Sequence, residues 1–120
     1  MRRLLAAKPD AVFAANDSMA LAALRVLREN GLRVPEDVAL AGFDDIPAAA
    51  AADPPLTTVR QPIRRLGEVA TQTLLEMIDD PSGPARRVIL PTELVVRASC
   101  GSVGMVPRDA AGADFGEGET

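Results

Sequence analysis

Three pairs of polar residues, Asn16-Asp17, Asp44-Asp45 and Arg60-Gln61, each stand directly after a short apolar or extended run. In an open α/β sheet, that position lies at the carboxyl end of a strand, where the ligand crevice opens. The residue types suit recognition rather than bond making. An amide such as Asn16 or Gln61 offers both a donor and an acceptor, and a carboxylate such as Asp44 can accept two hydrogen bonds from vicinal hydroxyls. Together they describe a polar cleft for a small hydroxylated molecule. Each pair also has a plainer reading. Asp17 is expected to cap the following helix by accepting a backbone amide, and Asp45 to serve a turn or a cap. Asn16 stands between the two, as cap or as ligand contact. Phe43 reads either as strand core or as an apolar wall of the cleft.

The elements that must hold these pairs follow from the apolar pattern. Ala11-Val12-Phe13-Ala14-Ala15, bounded by Pro9-Asp10 and Asn16-Asp17, reads as a strand buried on both faces. Ser18 to Asn30 carries good helix formers, and Asn30-Gly31 followed by Pro35 supplies its stop. Val38 to Phe43 repeats the buried-strand pattern, then Ile46-Pro47 turns into an alanine run that Asp53-Pro54-Pro55 ends. A strand, helix, strand unit of this kind is a right-handed parallel crossover, so the chain is α/β, a parallel sheet flanked by helices.

Further along, Thr57 to Arg60 reads as extended, and Pro62 suits the first turn of the next helix. Ile63, Leu66, Val69, Ala70, Leu74, Met77 and Ile78 recur on that helix at three- and four-residue steps, giving one apolar stripe. Arg87 to Leu90 and Leu94 to Arg97 read as the last strands. Residues 1–99 thus form the folded part. Residues 100–120, rich in Gly, Ala, Asp and Glu, read as a disordered acidic tail with too little apolar surface to offset the entropy of ordering it.

Composition excludes several classes. The chain has 120 residues, 48% of them hydrophobic, enough for one small packed domain. Its net charge of −4 is the wrong sign for a surface that neutralises phosphates, so it is a poor nucleic-acid binder by itself. With no histidine and one cysteine, Cys100, it has no means for a zinc site, a disulfide or a Ser-His or Cys-His pair. No cofactor, no metal and no enzymatic activity are expected. No stretch approaches a membrane span, and Lys8-Pro9-Asp10 cuts the N-terminal apolar run below signal-peptide length. No membrane partner and a cytoplasmic location are expected.

Four motifs, in order and spacing, carry a family resemblance. They are Pro9-Asp10-Ala11-Val12-Phe13-Ala14-Ala15-Asn16-Asp17, Val34-Pro35-Glu36-Asp37-Val38, Gly42-Phe43-Asp44-Asp45, and Pro55-Leu56-Thr57-Thr58-Val59-Arg60-Gln61-Pro62; Leu90 to Arg97 also fits. The stretch Met1 to Ser99 resembles the C-terminal part of the sensor domain of LacI/GalR-type transcription regulators. The resemblance implies a partial periplasmic-binding-protein-like (type I) fold of two α/β lobes joined by a hinge, with a small effector, sugar-like in most members, in the cleft. It places Asn16, Asp44 and Gln61 at the effector contacts, with Phe43 and Ile63 as weaker apolar ones. It also implies that the chain crosses the hinge after Gln61, so that the helix from Ile63 to Ile78 belongs to the other lobe.

The helix-turn-helix head and the first part of the sensor would precede the matched segment, and no residue present corresponds to them; the expectation is a truncated gene or a misplaced start. Operator DNA is accordingly a partner only through that head. The helix 18–30 is apolar on more than one side, with Met19, Leu21, Leu24, Val26 and Leu27 spread around it, which points to a homodimer contact or to cover by the absent lobe.

Other readings use the same residues. A receiver-like phosphoacceptor could hold Mg²⁺ with Asp44-Asp45, but the single lysine, Lys8, precedes the first strand and no isolated Asp follows a later one. An exported sugar-binding protein would share the cleft and differ in its upstream sequence. A nonfunctional remnant would share the fold and lack affinity.

Overall fold

A computed structural model describes residues 1–84 and 86–102 of the chain. The elements run α1 (Arg2–Leu5), β1 (Ala11–Phe13), α2 (Asp17–Glu29), β2 (Ala39–Ala41), α3 (Pro47–Ala51), β3 (Thr58–Arg60), α4 (Ile63–Asp79) and β4 (Glu93–Val95), closed by a 3₁₀ turn at Ala98–Cys100. β1 pairs in parallel with β2, with Val12 opposite Leu40, and α2 makes the crossover between them. Parallel bridges Ala41↔Thr57 and Asp44↔Arg60 bring the segment carrying β3 alongside β2, and β3 pairs antiparallel with β4. The fold is therefore α/β, as the apolar runs require.

The core lies between α2 and this sheet. Ala20, Ala23, Leu24 and Leu27 of α2 pack with Ala14, Val38, Leu40, Ala49 and Leu56, all buried. The four α2 residues lie three or four positions apart along one face of the helix, as Ala20, Ala23, Leu27 and as Ala20, Leu24, Leu27. α2 stops where Gly31 takes φ +73°, a conformation that costs glycine little, and Gly31 N and Leu32 N donate back to Arg28 O (2.9 Å) and Leu27 O (3.0 Å). Ser99 ties the far end of the chain to the core: its hydroxyl donates to Leu40 O at 2.6 Å and accepts from Thr57 N at 2.8 Å.

Several expectations need correction. The first strand is not buried on both faces, since Phe13 is 65% exposed. β1 has a neighbour on one edge among the described residues, and one side of it opens into a groove toward α1 and α2. Leu24 and Leu27 of α2 are buried and Leu21 and Val26 half-buried, which leaves Met19, 55% exposed, as the main apolar surplus of that helix. Arg87 to Leu90 forms no ladder. Its backbone has no strand to pair with among the described residues, and an extended run without a partner gains nothing from strand geometry.

Pro62 occupies the cap position of α4 rather than its first turn. α4 itself forms over the expected length, yet none of its residues is buried. The ordered chain continues past Ser99 through the 3₁₀ turn to Cys100. The rest of the expected acidic tail, from residue 103, lies outside the described residues.

Candidate functional site

The sheet order sets three chain ends side by side. Asp17 N donates to Phe43 O at 2.8 Å, so the end of β1 lies against the end of β2. Asp44 N donates to Val59 O at 2.8 Å, which lays the same turn against β3. Asn16, Asp44 and Gln61 therefore leave adjacent strands at one edge of the sheet. Side-chain contact joins two of them: Gln61 Nε2 donates to Asp44 Oδ1 at 2.7 Å. Both are half-buried. This bond does not use the second Asp44 oxygen or the Gln61 amide oxygen, and two such oxygens can accept from hydroxyl groups.

Asn16 holds a different position from Asp44. It is the cap of α2, its Oδ1 accepting from Met19 N at 2.8 Å. That corrects the expectation that Asp17 caps the helix. The Asn16 Nδ2 donor is not used by the cap, so capping and a ligand contact are compatible in one side chain. Phe43 is half-buried at the strand end, and Ile63 is 56% exposed at the start of α4, at the same end of the sheet as Gln61.

Asp17 is fully buried instead. Its Oδ1 accepts from Thr58 Oγ1 at 2.6 Å and its Oδ2 from Ile46 N at 2.9 Å. Gly42 is explained by this carboxylate, because a Cβ at that position would lie 2.3 Å from Asp17 Oδ1. Only glycine leaves room for it. Asp44 (φ +110°) and Asp45 (φ +54°) both take left-handed backbone conformations, which are costly for residues with a Cβ and cluster at ligand sites.

Behind the turn, Asp45 is a structural anchor. Arg97 Nη2 lies 2.6 Å from its Oδ1 and Arg60 Nε 2.7 Å from its Oδ2, while Arg60 Nη1 also reaches Glu93 at 3.2 Å. Burial pushes the Asp45 carboxyl up, but the two guanidiniums outweigh it and hold the group below the usual carboxylate range. These contacts span 15 and 52 residues of sequence, so no local spacing announced them. The adjacency of two Asp residues at a strand end was the available signal: it marked Asp45 as the turn residue and Asp44 as the ligand candidate, without announcing the arginine partners. Among the described residues no group of His, Cys, Asp and Glu is arranged to hold a metal ion.

Comparison with known proteins gives this arrangement its class. Residues 1–100 match the model of the periplasmic binding protein-like domain. The chain is 50% identical over 101 residues to the HTH-type transcriptional regulator CelR of Thermobifida fusca, covering 82% of this chain and 30% of that one. It is 44% identical over 95 residues to a lactose operon repressor of Rhizobium radiobacter, covering 79% of this chain and 83% of the relative. Among solved structures it superposes on a CelR–cellobiose complex with TM-score 0.73 at 49% identity, over 78% of this chain and 29% of that one. It also superposes on the lac repressor dimer bound to operator and the anti-inducer ONPF, with TM-score 0.72 at 36% identity, over 81% and 34%.

The fold is thus that of a periplasmic binding protein-like domain. The chain belongs to the LacI/GalR family of transcription regulators. It spans 27 to 30% of the length of regulators such as CelR and the Streptomyces coelicolor MalR.

Proposed function

We propose that this chain supplies one wall of the effector cleft of a LacI/GalR-type transcription regulator. Asp44 and Gln61 are its principal hydrogen-bonding contacts, Asn16 donates from the neighbouring strand end, and Phe43 and Ile63 are apolar edges. The observation that carries this reading is the Asp44–Gln61 pair, held at 2.7 Å on a left-handed turn at the carboxyl edge of the sheet. A site of acceptors paired in that way suits a hydroxyl-rich ligand, and a relative of half-identical sequence is known in complex with cellobiose. Control of transcription would follow through a DNA-binding head on the same polypeptide. The chain's regulatory relatives favour this over transport by a sugar-binding protein and over a catalytic role.

The test is calorimetry on the parent regulator against a panel of mono- and disaccharides that includes cellobiose. Asp44→Ala is expected to weaken binding of the recognised sugar by about 1.5 to 3 kcal/mol, the range for a hydrogen bond to a charged group. Unchanged affinity would remove Asp44 from the site, and no binding to any sugar by the unaltered regulator would leave the remnant reading.

The same reading includes a homodimer to which α2 contributes. Met19, Ala22 and Val26, at helical steps on α2, line an apolar groove of about 590 Å³ with Phe13 and Leu4. An apolar groove on one side of a helix is a surface that association can bury. Sedimentation of the parent regulator at micromolar concentration is expected to show a dimer, shifted toward monomer by Met19→Glu; a monomeric parent would end the proposal.

A further inference from the structure

Among the described residues Asp17 is the one fully buried carboxylate, and its partners are a hydroxyl and a backbone amide rather than a cation. Its position explains why it stays there. The backbone amide of Asp17 donates to Phe43 O at 2.8 Å, at the start of the turn, and its carboxylate accepts from Ile46 N at 2.9 Å, at the end of the turn. The two residues between these anchor points are Asp44 and Asp45, both left-handed.

A second path leads from the same carboxylate to the crest. Thr58 Oγ1 donates to Asp17 at 2.6 Å and accepts from Asp45 N at 3.3 Å, so one hydroxyl relays the hold to the middle of the turn. A hydroxyl that donates and accepts at once is polarised by the charge on one side, which strengthens the bond on the other. The Gly42 contact belongs to the same arrangement, since the carboxylate reaches the turn only because no Cβ stands in its way. Left-handed backbone at two consecutive non-glycine residues persists only where surrounding structure over-determines it. Asp17 holds the two ends of the turn, beside the Asp44 N–Val59 O bond and the Asp45 pairs with Arg60 and Arg97.

We propose that Asp17 is the positioning residue of the effector cleft: it clamps both ends of the Phe43–Ile46 turn and, through Thr58, its crest, and so holds Asp44 in the left-handed conformation from which it meets Gln61. This rests on the reading of Asp44 as an effector contact, but it makes its own statement about the turn. A buried residue that touches no ligand would thereby set the affinity of the site.

The test uses the full 120-residue chain, isotope-labelled and studied by NMR at low temperature without any ligand. In the unaltered chain the Ile46 amide, which belongs to no ladder, is expected to be protected from hydrogen exchange, and the carbon shifts and couplings of Asp44 and Asp45 to report left-handed backbone. Thr58→Val, which removes the relay and keeps the shape, is expected to shift the Asp44 and Asp45 signals and to relax them toward ordinary conformations, while Thr58→Ser restores them. Asp17→Asn, which replaces one acceptor by a donor, is expected to speed Ile46 exchange by about tenfold or more. Should Asp17→Asn unfold the chain, the Thr58 pair and the unaltered Ile46 amide decide the matter. An unprotected Ile46 amide, or Thr58→Val with unaltered Asp44 and Asp45 signals, overturns the proposal. Failure of the effector reading shows elsewhere, as unchanged sugar affinity in Asp44→Ala, and neither failure implies the other.

Discussion

Asp44 and Asp45 are neighbours with the same side chain, and the structure gives them opposite work. Asp44 has one oxygen on Gln61 and is the proposed effector contact; Asp45 is spent on Arg60 and Arg97. The consequence is a pH dependence with a definite sign. The folded carboxyl of Asp45 lies below its usual value of 3.8, and that of Asp37, bonded to Arg33, is lowered to about 2. The folded chain therefore holds fewer protons than the unfolded one across this interval. Both contributions are present in full above the unfolded value and are withdrawn as the pH falls below about 4 toward about 2, Asp37's share being weakened by salt because it is exposed. Urea unfolding is expected to show stability dropping through this window. Asp45→Asn should flatten part of that drop and cost about 2 kcal/mol at neutral pH. A variant with the same acid slope as the unaltered chain would show that Asp45 does not contribute it.

At the scale of elements, the N-terminus of α2 combines structure and recognition in one residue. Asn16 caps the helix through its oxygen, and the cap does not use its NH₂, the proposed donor to the ligand. Asn16→Asp preserves the acceptor and adds a negative charge at the positive end of the helix, so the melting temperature should hold or rise slightly. The donor is lost, and sugar affinity of the parent is expected to fall about tenfold, the loss of roughly one hydrogen bond. Calorimetry that finds equal affinity would reduce Asn16 to a cap. The edges of the sheet are less complete. β1 carries an exposed Phe13, and Arg87 to Leu90, with Val88 and Ile89 exposed, pairs with no strand among the described residues.

For the molecule as a whole, α4 decides how the chain behaves alone. Ile63, Leu66, Leu74, Met77 and Ile78 are each at least half-exposed or close to it, and the nearest cover is a shallow groove with Val88 and Leu90. Full burial of this stripe would contribute on the order of 10 kcal/mol as an upper bound, comparable to the whole stability of a small domain. The core between α2 and the sheet must then hold the chain by itself. Thermal unfolding of the 120-residue chain is expected to be broad, with a midpoint below about 45 °C and no upward shift with any sugar of the panel. A sharp transition that moves upward with one sugar would show the chain to be a complete binding module.

Much of this was legible along the chain because it depends on local chemistry. Short apolar runs ended by Asn-Asp and Asp-Asp, a helix closed by Asn30-Gly31, and the stripe of α4 have fixed periods and punctuation, and the crossover rule then places β1 and β2 parallel. The convergence of Asn16, Asp44 and Gln61 on one edge follows from that topology. Tertiary structure alone decided which of Asn16 and Asp17 capped the helix, and which distant partners Asp45 would hold. Asn16 took the cap, and Asp17 turned to the interior, where its carboxylate meets Thr58 and Ile46 in the space that Gly42 leaves. Asp45 turned inward because Arg97, 52 residues away, arrives beside it through the β3–β4 pairing. The failure of Arg87 to Leu90 to become a strand has the same origin, since a strand's hydrogen bonds are made by its neighbour and not by its own sequence.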